Sequence, residues 1–283
     1  MISALNRLED NTLELTITIP WKNISESYGQ TLKNLAQKIE IKGFRKGKAP
    51  VEKVEEKLGK QEIYEEVLKE ILPKVYLETI KKHNLKPIVN PQISVISLQE
   101  NKDWQIKATT CELPEIELGD YQQAVKKNLS SEKIWIPGKD KQPEKENENQ
   151  RLEKIFQALL KNTKVKLPGI LLQEEVNRML SRLIDQTARL GLTVEQYLAS
   201  VGKTTEIIKK EYQVQAEQTL KLEMILSEIG NKEKIEVKEE EIDKMIEAIP
   251  DQELKKSFDN QEQRAYVRQL LRKRQVIDNL SKL

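Results

Sequence analysis

The chain has 283 residues, more than a usual single domain, so two domains or an elongated multidomain body is the starting expectation. Hydrophobic residues make up 37%, charged ones 33% and aromatics 5%, enough for thin helical layers but little for a large aromatic core. With 48 basic and 46 acidic groups the net charge is +2. The molecule as a whole therefore has no field that draws nucleic acid, and any basic surface must be local.

Cys111 and His83 are the only residues of their kinds. That excludes an internal disulfide and a Cys/His zinc cluster, calls for no metal or cofactor, and fits a reducing, cytoplasmic setting. No apolar run approaches the roughly eighteen residues of a membrane span. The segment from Met1 to Arg7 lacks the basic-then-apolar order of a secretion signal. Membrane insertion and export are both disfavoured.

In chain order, Leu13, Leu15, Ile17 and Ile19 alternate with Glu14, Thr16 and Thr18, the pattern of a half-buried strand that Pro20 ends. Ile24, Tyr28, Leu32, Leu35 and Ile39 then fall on one helical stripe. The next stretch, Lys42 followed by Gly43-Phe44-Arg45-Lys46-Gly47-Lys48-Ala49-Pro50, reads as an exposed docking turn. Its glycines allow positive φ, and Pro50 suits the first position of a helix. Its cations need anionic partners to be buried, and with Lys38 they face only Glu40. Phosphate is a plausible partner there.

Val51, Val54 and Leu58 predict a short helix that Gly59 interrupts. Ile63, Val67, Ile71, Val75 and Ile80 predict a longer one ending near Asn84. Pro73 lies inside it and should bend or split it, at a cost of about 3 kcal/mol that packing must offset. Strands are expected over 92 to 98 and 104 to 113, with a turn at Asn101-Lys102-Asp103. A strand pair, two helices and a second strand pair make an α+β module. The docking turn falls at its helix-to-helix tip.

Residues 114 to 150 change character. From Lys139 to Gln150 there is no apolar side chain except the Pro143 ring, so the segment reads as a linker. Ile134-Trp135-Ile136 is expected to pack back on a neighbouring domain. From Arg151 onward the pattern is helical. Leu152, Ile155, Phe156 and Leu159 mark one helix, and Leu172, Val176, Met179, Leu183 and Leu190 mark the next, ended by Gly191. Thr193 with Gln196 reads as a capping box. Tyr212, Ala216, Leu220 and Met224 define a long helix. Ile242, Met245, Ile246 and Ile249 form another, and a terminal helix runs from Tyr266 to Leu280. The division expected is residues 1–113 as an α+β domain with a small antiparallel sheet and two helices, 114–150 as linker, and 151–283 as an all-α domain.

The pattern G-F-R-x-G-x-x-P, carried here by Gly43, Phe44, Arg45, Gly47 and Pro50, resembles the ribosome-docking signature of the trigger factor family of bacterial chaperones. The similarity continues from Val51 to Leu113. Val165-Lys166-Leu167-Pro168, leading into Leu171-Leu172-Gln173-Glu174-Glu175-Val176, resembles the start of that family's helical arms. The resemblance implies docking on the large ribosomal subunit at the tunnel exit. Phe44 and Arg45 would meet ribosomal protein, Lys42, Lys46 and Lys48 would meet rRNA phosphate, and Gly43, Gly47 and Pro50 would shape the turn. It also implies helical arms that hold unfolded or nascent polypeptides, with Met179, Leu183, Tyr212, Met224, Met245 and Tyr266 as client-contacting candidates whose simpler role is core packing. It leaves room for a homodimer when free.

The family usually carries a prolyl-isomerase domain of the FK506-binding type between these two parts. Here only 37 positions, Pro114 to Gln150, separate them, against the ~50 residues a self-standing domain needs. No catalytic residue is expected. Gly202-Lys203-Thr204 is not a phosphate loop, because Tyr197 stands where that motif needs glycine, and His83 has no serine that the sequence places beside it. The reading is a non-catalytic ribosome-associated chaperone. An RNA-binding ribosome-assembly factor and a prolyl isomerase are the alternatives.

Overall fold

The computed structural model describes residues 2–45, 47–130, 148–250, 255, 258 and 260–283. The chain forms two compact units, Met1–Leu113 with Pro168–Leu171, and Pro114–Leu167 with Leu172–Leu283. No described helix is long and apolar enough to cross a membrane.

The first unit is an antiparallel sheet of order β1-β2-β4-β3 covered on one face by helices. Its elements are β1 (Ile2–Arg7), β2 (Thr12–Ile19), α1 (Trp21–Lys38), α2 (Val51–Leu58), α3 (Lys60–His83), β3 (Gln92–Ser97) and β4 (Trp104–Cys111). The alternation in β2 does what it predicts, since Leu13, Leu15, Ile17 and Ile19 are all fully buried. They pair in register with β4, Leu15 opposite Ala108 and Ile17 opposite Ile106. The helices close this layer with Ile24, Leu32 and Ala36 of α1 and Ile63, Val67, Ile71 and Val75 of α3.

Two features depart from expectation. The strand that pairs with the Leu13-to-Ile19 strand is β1, whose residues carry no alternation, with Leu5 opposite Leu15. As an edge strand it places Ser3 and Leu5 toward the helices and Ile2 and Ala4 away, so its apolar residues do not alternate. Helix α3 runs as one element through Pro73. Buried Ile71 and Val75 flank the proline, and their packing offsets the lost backbone bond. Its buried positions recur at every fourth residue from Ile63 to Thr79. Each step advances about 40° beyond a full turn, so the buried stripe winds around the helix.

The second unit contains α4 (Tyr121–Ser130), α5 (Glu148–Asn162), α6 (Gly169–Arg189, its first turn lying with the first unit), α7 (Val194–Ser200), α8 (Thr205–Lys232), α9 (Glu239–Glu247) and α10 (Gln261–Ser281). Among the described residues its regular structure is helical apart from one short ladder, β5 (Ile116–Glu117) against β6 (Lys164–Val165). Its main core joins Tyr121 and Val125 of α4, Ile155 and Leu159 of α5, Ile225 and Ile229 of α8, and Val276 and Leu280 of α10.

Residues 114–130 therefore correct the expected linker. Leu118, Tyr121 and Val125 are buried, and the Tyr121 hydroxyl donates to Glu233 at 2.9 Å. The polar tract up to position 147, with Ile134-Trp135-Ile136, lies outside the described residues.

Candidate functional site

The docking turn spans residues 39 to 50 between α1 and α2, and both of its stems are tied to the core. Ile39, Ile41, Ala49 and Val51 pack partly buried against the first unit's apolar cluster. The Ile39 N–H donates to the Leu35 carbonyl at 2.9 Å, ending α1. From α2, the Lys57 ammonium donates to the Glu40 carbonyl at 2.7 Å.

Two successive tight turns then push the tip outward. The Phe44 N–H donates to the Ile41 carbonyl at 3.0 Å and the Lys48 N–H to that of Arg45 at 2.9 Å. Gly43 and Gly47 take φ of 92° and 79°, the left-handed region where a side chain is strained. Pro50 sits one position earlier than expected. It is the N-cap of α2 rather than its first residue, and its carbonyl accepts from the Lys53 and Val54 N–H groups.

The outcome is a rigidly based, outward-facing tip. Phe44 is 44% exposed, and Lys42, Arg45 and Lys48 are exposed around it. Among the described residues none of these three cations forms a salt bridge. Lys46 lies outside the described residues. An apolar ring surrounded by unneutralised charge can bury itself against a protein groove while the cations meet carboxylate or phosphate.

The client-contact candidates separate by burial. Leu183, 5% exposed, is a core residue that packs with Leu198 and Ile208 in a cluster of three buried side chains. Met224 is 9% exposed on the inner face of α8. Both are corrected from client contact to packing, the simpler role. Met179 and Tyr212 are half-buried, and burial pushes the Tyr212 phenol up from its usual value. Met245 and Tyr266 are exposed.

The sequence reading missed a further set of exposed apolar residues. Ile184, Leu190, Leu192, Val201, Ile207 and Val214 are large, apolar and exposed on α6, α8 and the turns flanking α7, with Leu190 at 70%. These elements have only a thin core between them. The available signal was apolar residues falling outside the helical stripes, and Leu190 itself was assigned to a stripe. The turns are as expected. Thr193 and Gln196 form a reciprocal capping box, and Gly202, at φ 64°, ends α7 with the Lys203 N–H donating to the Leu198 carbonyl.

His83 departs from expectation, because the Ser3 hydroxyl lies 2.9 Å from its Nε2. β1 brings the serine to the end of α3 across 80 positions of sequence, which no local pattern reveals. Among the described residues no carboxylate bonds to the other ring nitrogen, so the pair lacks the orienting third group of a hydrolytic triad. No group of three or more His, Cys, Asp or Glu that could hold a metal ion is found among the described residues.

Residues 1–149 match the family model described as bacterial trigger factor protein, and residues 139–282 match that of its C-terminus. Trigger factor of Carboxydothermus hydrogenoformans is 24% identical, over 89% of this chain and 92% of that protein. Trigger factor of Staphylococcus aureus (strain JH9) is 33% identical over 43% of this chain, but only 28% of that protein is covered. A solved structure of the trigger factor chaperone, described for promiscuous substrate recognition in folding and assembly, shares the fold with a TM-score of 0.67 at 16% identity. That match covers 100% of this chain and 99% of the other. The glycine-shaped tip, the helical second unit and family models that together reach from residue 1 to 282 lead to one assignment: the chain belongs to the bacterial trigger factor family.

Proposed function

We propose that this chaperone docks by its 42–50 turn on the large ribosomal subunit at the tunnel exit and holds nascent or unfolded polypeptide on its helical unit, in the cytoplasm and without catalysis. The observation that carries the reading is Phe44 held out at 44% exposure on a turn whose stems are anchored and whose described cations, Lys42, Arg45 and Lys48, form no salt bridge among the described residues. When such a tip meets a surface, the ring can fill an apolar groove while the cations gain anionic partners. Client holding is supported by the exposed apolar side chains of α6, α8 and the α7 turns. Scattered over a thin core, they offer many weak contacts, which favours broad acceptance and fast release.

The absence of isomerase chemistry is supported by length. The alignment with the Carboxydothermus relative spans 393 positions against 283 residues in this chain. In a proline-limited refolding assay, no acceleration of the slow phase is expected. Acceleration at catalytic concentrations would overturn this part of the reading.

Holding is tested without ribosomes, by suppression of aggregation of a denatured model protein. Replacing Ile184, Val201, Ile207 and Val214 by serine is expected to weaken client binding by about 100-fold, since four side chains that each bury about 30 Å² on a client contribute about 3 kcal/mol together. All four are exposed, so the melting temperature should stay unchanged. If the wild-type chain suppresses no aggregation while still binding ribosomes, the RNA-binding assembly-factor reading replaces this one.

A further inference from the structure

A recess lies in the first unit, lined by none of the docking-turn residues 39 to 50. It has a volume of about 150 Å³ and is lined by Trp21, Ser25, Tyr28, Glu55, Lys60, Tyr64 and Glu100. Drug-sized ligands and cofactors occupy roughly 300 to 1,000 Å³, so this recess has room for one small group. Four segments build it: the start of α1, the end of α2, the start of α3 and the turn between β3 and β4. The last is pinned to α1 by the Trp21 N–H donating to Asp103 at 2.8 Å.

Three rings form the walls. Trp21 and Tyr28 stand 6.4 and 5.2 Å from Tyr64, centroid to centroid, at interplanar angles of 67° and 53°. At these separations the rings pack on one another and line the recess as one continuous aromatic surface, and Tyr64 in turn rests edge-on against buried Trp104 at 5.4 Å. Two carboxylates sit among them. Glu55 accepts the Tyr28 hydroxyl at 2.9 Å, and Glu100 pairs with Lys60 at 2.6 Å. Burial first, and Glu55 second, push the Tyr28 phenol well above its usual value, so it stays a neutral donor. The recess then carries two negative charges and one positive.

Aromatic faces with a net negative charge select cations, and Lys60 already shows that the rim accepts an ammonium. The geometry points to a pocket for an alkylammonium group, the lysine side chain of a bound polypeptide, which lies in the recess against the packed rings of Trp21, Tyr28 and Tyr64 and competes with Lys60 for Glu100. This role is separate from ribosome docking and from the exposed apolar surface of the helical unit.

The test titrates the full chain at constant ionic strength and follows the Trp21 indole N–H by NMR. The probes are n-butylammonium, its neutral counterpart 1-butanol, N-acetyl-lysine methylamide, and short lysine-rich and proline-rich peptides. A saturable shift is expected with n-butylammonium and N-acetyl-lysine methylamide and none with 1-butanol. The lysine-rich peptide should bind more tightly than either free amine. A lysine-rich peptide no better than the free amines would overturn the polypeptide source, and a preference for the proline-rich peptide would overturn the cation reading.

Two variants move the affinity in opposite directions. Glu55→Gln should weaken binding by about 5-fold and Lys60→Gln should tighten it by a similar factor, as expected for one charge at a partly solvated aromatic site. Both are surface changes of similar shape, and a melting curve for each confirms the fold. Equal response to 1-butanol, or weakening by Lys60→Gln, would sink the proposal.

Discussion

Replacing Phe44, Arg45 and Lys46 together by alanine is expected to remove cosedimentation with ribosomes, weakening binding by at least about 100-fold. The size follows from what a protruding aromatic and a guanidinium contribute when buried at the centre of an interface, about 2 kcal/mol or more each. The fold should be untouched, because the ring is 44% exposed and the anchoring residues Ile39, Ile41 and Ala49 remain in place. Salt dependence separates the ring from the cations. Phe44→Ala alone should weaken binding without altering the slope of log affinity against log salt. Replacing Lys42, Lys46 and Lys48 by alanine should flatten that slope by roughly 0.7 to 0.9 for each phosphate that is no longer neutralised. If the lysine variant leaves the slope unchanged, the cations do not meet rRNA. If the triple variant sediments like the wild type, the tip is not the anchor.

That tip was legible in the sequence because its determinants are local. Two glycines, a ring and a proline within eight positions dictate a protruding turn whatever lies around it. β2 was legible for a related reason: a strand with helices on one face and water on the other must alternate, and Leu13 to Ile19 does. Long-range pairing left no such mark. β1 borrows its register from β2 and needs no pattern of its own, and Ser3 meets His83 only because the sheet closes.

Burial at the client-contact candidates was legible only in part. Helical period places Leu183 and Met224 on a face but does not say whether another helix covers that face. Both turn out covered, while Ile207 and Val214, outside the stripes, are open. The cation recess was invisible for the same reason, since its seven residues come from four segments joined by tertiary packing.

Val125→Asp is the strongest test of where the second unit begins. Val125 is fully buried beside Tyr121, Ile155 and Ile229. A carboxylate there stands among the apolar side chains of that cluster and must either ionise at great cost or stay protonated. A loss of more than about 3 kcal/mol from the second unit is expected, and about 2 kcal/mol for Val125→Ala, where only apolar contact and a small cavity are at stake. The first unit provides an internal control. Trp21 and Trp104 both lie in it, so in a Trp135→Phe background their fluorescence reports its unfolding, while far-UV circular dichroism is dominated by the helices of the second. Val125→Asp should shift the circular dichroism midpoint in urea and leave the fluorescence midpoint where it was. Tyr121→Phe, which removes the hydrogen bond to Glu233, should shift the same midpoint by about 1 kcal/mol. Were residues 114–130 a tether, an aspartate at 125 would sit in water and neither midpoint would move. Coincident shifts of both would mean that the two units unfold together and that α4 stabilises the whole chain.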